Sequence, residues 1–344
     1  MLLVVLGFAI LATVMVDALL TTVAVSTVAG PLTGNLTHGL WTLALRRRSH
    51  RFLRMAGPVI ALTAVAVWFA ALWLGWSLVF LADTDAVVSA TSGRPAGGWD
   101  RVYFAGSTLF TLGGGEFIPQ GVVWQMLAIV ALVNGLTMVT LWITYLIPVT
   151  GATTGKRRLA ASIASLGERP DAILMSSWDG RGFAPLEPYL VSLTPMVAEL
   201  AEQHLAYPVL HYFHSAHRYT AAAPMMASLD EALTMLEFGV APRHRPAQFA
   251  FHPLRDAVSH FLDTLFSAFI IPETDPPAAP SLQRLRDTGI PTVDDEEFEA
   301  AVSKLGQRRR LLHALVDNDG WSWDDLWTTT HRDHDNPAGT GMTA

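Results

Sequence analysis

The chain has 344 residues, 51% of them apolar and 15% charged, with a formal net charge of −7 and no cysteine. An average soluble domain carries about 25% charged residues, so a uniformly soluble chain is excluded. The acidic balance gives no case for a nucleic-acid partner, and the lack of cysteine removes disulfides, thiolate metal sites and thiol nucleophiles.

The apolar runs lie before residue 150 and most of the charge after it, which argues for a membrane half followed by a soluble half. A bilayer core about 30 Å thick takes about 20 apolar residues as helix. Met1 to about Val28 qualifies. It lacks a basic leader region, so a retained segment is expected rather than a cleaved signal peptide. Asp17 interrupts it, and a carboxylate at bilayer depth needs a partner or a watery cavity. Residues 30–45 mix Gly, Pro and polar residues with Leu and Trp, and suit a segment along the inner membrane surface. Arg46, Arg47, Arg48, Arg51 and Arg54 follow as a basic cluster.

The second span runs from Met55 to about Leu81 and the third from Val122 to about Val149, both without charge. Trp68, Trp73, Trp76, Trp124 and Trp142 lie within them, and some suit interfacial belts. Pro148 kinks the third span or ends it, with the end preferred. Lys156, Arg157 and Arg158 come next. Positive-inside logic assigns both basic clusters and the C-terminal half to the cytoplasm and residues 82–120 to the outside of a cell membrane.

Between the second and third spans lies WDRVYFAGSTLFTLGGGEFIP, residues 99–119. Asp100 to Phe110 can form three helical turns. Thr111-Leu-Gly-Gly-Gly115 cannot continue them, because each helical Gly costs about 1 kcal/mol. Non-helical backbone at membrane depth survives only buried in protein or lining water. A short helix followed by a glycine-rich strand therefore suggests a re-entrant pore element. Filters for monovalent cations replace hydration water with backbone carbonyl oxygens. Aiming consecutive carbonyls at one axis needs alternate residues at positive φ, which glycine adopts at little steric cost. Gly113 and Gly115 have that spacing, and Thr111 can add a hydroxyl oxygen. A closed, non-conducting hairpin is the competing reading.

Tyr103-Phe104, Thr108-Leu109, Thr111, Gly113, Gly115, Glu116 and Pro119 resemble the pore region of the potassium-channel superfamily, whose filter reads T-V-G-Y-G-D with a Pro three residues later. The resemblance covers roughly residues 55–150. It implies a two-helix pore unit and four chains around one axis; with the N-terminal apolar span and a mostly helical cytoplasmic half read from the residues, the expected fold is an all-α membrane protein with an extra N-terminal helix and a helical cytoplasmic domain. The resemblance implies a filter of Thr111, Leu112, Gly113, Gly114 and Gly115, supported by Tyr103, Phe104, Ser107, Thr108 and Glu116. K⁺ is the implied permeant cation, with no other cofactor. Gly114 departs from the family, which has an aromatic there that packs against pore-helix aromatics. Tyr103 and Phe104 are expected to lose that partner, so K⁺ selectivity is less secure than monovalent permeation. The resemblance also suggests Gly135 as an inner-helix hinge; close helix packing is an equal alternative.

The expected organisation is an N-terminal helix and basic linker over 1–54, a pore domain over 55–152, a helical cytoplasmic domain over 153–330 and a disordered tail over 331–344. Ser228-Leu-Asp-Glu231 has capping-box spacing before an apolar run to Phe238. Asp294, Asp295, Glu296 and Glu297 suit the first turn of a helix running to about Val316. On a helix, His211, His214 and His217 would form a drifting stripe, read as surface or core histidines rather than metal ligands. Arg308, Arg309 and Arg310 read as a solvated face rather than a lipid contact. Trp323 and Trp327 share one helical face. No phosphate loop, nucleophile elbow or acid–base dyad is visible, so an enzyme is not expected. The competing function is a membrane scaffold or sensor whose cytoplasmic half binds a partner.

Overall fold

The computed structural model describes residues 1–24, 29–47, 49–266 and 275–328. Arg48 and the expected tail over 331–344 lie outside the described residues. The fold is that of an all-α membrane protein. Its helices are α1 (Leu2–Thr22), α2 (Pro31–Leu45), α3 (His50–Leu81), α4 (Gly98–Leu109), α5 (Gly121–Leu166), α6 (Pro170–Ser177), α7 (Glu187–Ala206), α8 (Ala222–Thr234), α9 (Gln248–Phe266), α10 (Gln283–Asp287), α11 (Asp295–Ser303) and α12 (Gly306–Asn318). α1, α3 and α5 are each long and apolar enough to cross a membrane. One antiparallel ribbon joins β1 (Val87–Ser89) to β2 (Phe117–Pro119), with Val87 opposite Pro119 and Ser89 opposite Phe117.

The chain folds as two compact units. The first draws on 1–158, 195–216 and 259–271, the second on the remainder. In the first, α3 is the central column. Leu72, Trp76, Val79 and Phe80 are fully buried on it, packing with Leu11 and Val14 of α1, Ala105 and Leu109 of α4, and Ala131 and Met138 of α5. Gly7 and Gly75 permit a close α1–α3 crossing. A Cβ on Gly7 would lie 2.8 Å from the Gly75 carbonyl, and one on Gly75 2.8 Å from the Leu11 side chain. Trp68 and Trp76 belong to this core and do not form an interfacial belt.

Asp17 has found its partner. Its carboxylate accepts hydrogen bonds from Leu32 N (2.8 Å), Thr33 N (3.3 Å), the Thr33 hydroxyl (2.5 Å) and Trp68 Nε1 (3.0 Å). The acceptor thus caps the N-terminus of α2, where unsatisfied N–H groups and the helix dipole favour negative charge. Gly30 makes room for it, since a Cβ there would collide with the carboxylate.

In the second unit α8 is buried along its whole length. Ser228 and Glu231 are mid-helix residues, so the expected capping box is not a helix start; α8 begins earlier, at Ala222. Asp230 is instead clasped by Arg255 (3.1 Å) and Arg308 (2.6 Å), and Glu231 by Arg309 (2.7 and 3.0 Å). The solvated face expected at Arg308 and Arg309 is therefore corrected. Burial by itself would push the Asp230 carboxyl up, but Arg255 and Arg308 outweigh it and hold the group below its ordinary value. The single helix expected to run to Val316 is two. Asp294 caps α11 by accepting from Glu297 N (2.8 Å), and Lys304–Leu305 separates α11 from α12.

Candidate functional site

The site is built on α4. Asp100, in the first turn, accepts from Gly97 N (2.9 Å), which fixes the start of the helix. Arg101 donates to the carbonyls of Leu81 (3.3 Å) and Asp83 (2.7 Å), placing a cation at the C-terminal end of α3. Trp73 Nε1 donates to the Val102 carbonyl (3.0 Å), and a Cβ on Gly106 would come within 2.9 Å of the same nitrogen. Phe104 packs edge-on against Phe80, ring centres 5.1 Å apart. Ser107 is buried and donates to the Phe104 carbonyl (3.0 Å).

The helix ends in a Schellman arrangement. Leu112 N donates to the Ser107 carbonyl (2.8 Å) and Thr111 N to the Thr108 carbonyl (3.2 Å). Thr111 takes the left-handed position with φ 58°, where Gly or Asn is usual. A β-branched residue there is strained by about 1–2 kcal/mol. Gly113 (φ 59°) and Gly115 (φ 63°) share the left-handed region, while Leu112 and Gly114 do not. Residues 111–115 thus alternate in the sign needed for consecutive carbonyls to share one side. All five are exposed on the single chain, and a Cβ on Gly113 or Gly115 would meet nothing within 4 Å.

Gly114 differs from its neighbours. A Cβ there would lie 3.2 Å from the Tyr103 hydroxyl. The aromatic absent at 114 is made up from α4, whose Tyr103 ring also meets Phe117 edge-on at 6.3 Å. Tyr103 and Phe104 are therefore not left without packing partners. Beyond the glycines, the Glu116 carbonyl accepts from Ala90 N (2.9 Å) and Gln120 N donates to the Ala86 carbonyl (3.0 Å). Together with the β1–β2 ribbon these bonds tie the far end of the segment to the loop after α3.

On α5, a Cβ at Gly135 would overlap the Leu109 carbonyl oxygen. Close packing against the end of α4 is thus a sufficient reason for this glycine. Pro148 lies inside α5, which continues to Leu166, so the preferred helix end there is corrected. The histidines do not form a helical stripe. His211 sits in the 3₁₀ turn Pro208–Tyr212, and His214 and His217 fall in irregular chain. His214 Nε2 lies 3.1 Å from His50 Nδ1, and His217 stacks on Tyr219. Trp323 and Trp327 lie in a 3₁₀ turn rather than on an α-helical face.

Sequence reasoning missed the roles of Trp73 and Gly106. Trp73 reads in the sequence as one of several span tryptophans and Gly106 as an isolated glycine, and their pairing exists only after α3 and α4 pack.

Residues 64–150 match a family model described as an ion channel. Over 320 residues the chain is 33% identical to the uncharacterised membrane protein YdjJ of Bacillus subtilis, covering 92% of this chain and 94% of that protein. No solved structure matches the chain.

Proposed function

This chain belongs to the same family as the Bacillus subtilis membrane protein YdjJ, and from that premise we propose that it is one subunit of a homotetrameric, potassium-like cation channel. The observation that carries the reading is the alternation of positive φ at Thr111, Gly113 and Gly115 inside the region that matches ion channels. Carbonyl oxygens of residues 111–115 replace the hydration shell of a monovalent cation, and the Thr111 hydroxyl adds one oxygen at the inner mouth. Tyr103, Phe104, Ser107, Thr108 and Glu116 hold the segment. The C-terminal end of α4 directs partial negative charge at the entering cation.

One chain carries one such segment, so the axis needs four copies. The exposed apolar residues Val122, Met126, Ile129, Val133 and Leu136 of α5 suit lipid and neighbouring subunits. Gly135 lets α5 pack directly against the Leu109 carbonyl at the end of α4. The basic residues at 46–54 and 156–158 orient the pore with residues 82–120 outside. Residues 153–330 then serve as a cytoplasmic domain that assembles or gates it.

Purified protein in liposomes tests this. The expected result is uptake of ⁸⁶Rb⁺ that is abolished by Gly113→Ala in an assembly of unchanged size. A wild-type protein that passes neither Rb⁺ nor Na⁺ at any pH, calcium level or voltage would favour a non-conducting scaffold.

A further inference from the structure

Between the C-terminal half of α2 and the first turns of α3 lies a groove of about 500 Å³. Leu40 and Leu43 line one wall, and Phe52, Met55 and Val59 the other. Positions 52, 55 and 59 recur at three and four residues and so form one stripe along α3. Leu43, Phe52, Met55 and Val59 are each at least half exposed. Arg46 and Arg47, both exposed, complete the lining, and the Arg47 guanidinium stands 6.0 Å from the Phe52 ring centre. No carboxylate lines the groove, and among the described residues none pairs with Arg46 or Arg47.

We propose that this groove binds an anionic phospholipid, with its phosphate on Arg46 and Arg47 and an acyl chain along Leu43, Phe52, Met55 and Val59. The chemistry asks for both parts. Guanidinium groups match phosphate oxygens in a two-pronged fashion, and two exposed arginines with no carboxylate beside them among the described residues favour an anionic headgroup over a neutral one. Free phosphate has no use for the wall. From Phe52 to Val59 the stripe runs about 10 Å along the helix, roughly two thirds of one leaflet of a 30 Å hydrocarbon core. Arg51 and Arg54, exposed on the same stretch of α3, add to the local positive field. The proposal requires only that the chain is a membrane protein, so it stands or falls separately from conduction.

Native mass spectrometry of the full chain, purified with equal phosphatidylglycerol and phosphatidylcholine, reads it directly. Wild type is expected to retain phosphatidylglycerol preferentially, and added inorganic phosphate does not displace it. An arginine at a membrane surface contributes about 1 kcal/mol, or about fivefold, to anionic-lipid binding. The Arg46→Gln/Arg47→Gln variant is therefore expected to lose retention by about 25-fold. Val59→Trp, or Leu43→Trp from the opposite wall, fills the groove and is expected to lose retention with both arginines intact. Unchanged retention in the double arginine variant overturns the proposal. So does loss in that variant alone with both tryptophan variants normal, which leaves only diffuse charge attraction. A change of oligomeric state in the tryptophan variants without lipid loss also overturns it, and identifies the groove as a contact between chains.

Discussion

At the scale of single residues, Thr111 and Asp17 say most about the design. Thr111 keeps a side chain where glycine would relieve strain, which is the pattern of a position held for function. Thr111→Gly is expected to raise the thermal stability of the assembly by about 1 kcal/mol and to reduce cation flux through loss of the hydroxyl. Unchanged flux and ion preference in that variant would remove the hydroxyl from the permeation path. Tyr103→Phe deletes only the oxygen beside Gly114. Bi-ionic measurements are expected to show weaker discrimination of K⁺ from Na⁺, with assembly preserved; identical selectivity would mean that the hydroxyl does not brace the segment. Asp17 illustrates what could be read in advance. The need for a partner followed from a carboxylate in an apolar run. The partner itself did not, because the N-terminus of α2 and Trp68 reach it only through tertiary packing.

At the scale of elements, the three spans and the short helix before the glycines were legible because apolar length and helix-breaking glycine are local properties. Boundaries were less so. α3 begins at His50 and α5 runs to Leu166, because hydropathy registers where apolar residues stop and not where the helix stops; α5 continues through Thr150, Gly151, Thr154 and Gly155 despite their low helix propensity. Pro148 sits inside α5 although its ring removes one backbone bond. Gly135 belongs to the same scale. Gly135→Ala forces a methyl group onto the Leu109 carbonyl, so conduction is expected to fall even if α5 itself gains helix propensity. A fully active Gly135→Ala protein would contradict the close-packing account.

In the second unit, charge does not mark surface. Ser228-Leu-Asp-Glu231 and the arginines 308–309 have the look of a helix start and a solvated face, yet they form one buried ionic layer. No local pattern distinguishes an arginine awaiting a buried carboxylate from one awaiting water. Asp230→Ala removes the buried carboxylate that Arg308 and Arg255 share, although Arg255 keeps Glu237 at 3.2 Å, and is expected to cost about 3 kcal/mol in thermal unfolding of the detergent-solubilised chain. The pH dependence follows from the lowered carboxyl of Asp230. A depressed native value gives stability that is present above the ordinary 3.8 and lost as pH falls through the native value. Wild type is expected to lose stability below about pH 4, and Asp230→Asn to show a shallower acid limb.

At the scale of the whole molecule, a chain of the same family as YdjJ matches an ion-channel family model over 64–150, and its backbone φ values alternate through 111–115 within that stretch. The glycine spacing made that segment recognisable in the sequence. The place of Tyr103 beside Gly114 was not recognisable, because it depends on how α4 lies against the strand that follows it. The measurement that bears most directly on the claim is anomalous scattering from crystals of the assembled protein soaked in Rb⁺ or Tl⁺. The account predicts a column of peaks on a fourfold axis within coordination distance of the carbonyl oxygens of residues 111–115. Residues 111–115 folded into a dry contact within one subunit, with no cation beside them, would contradict it.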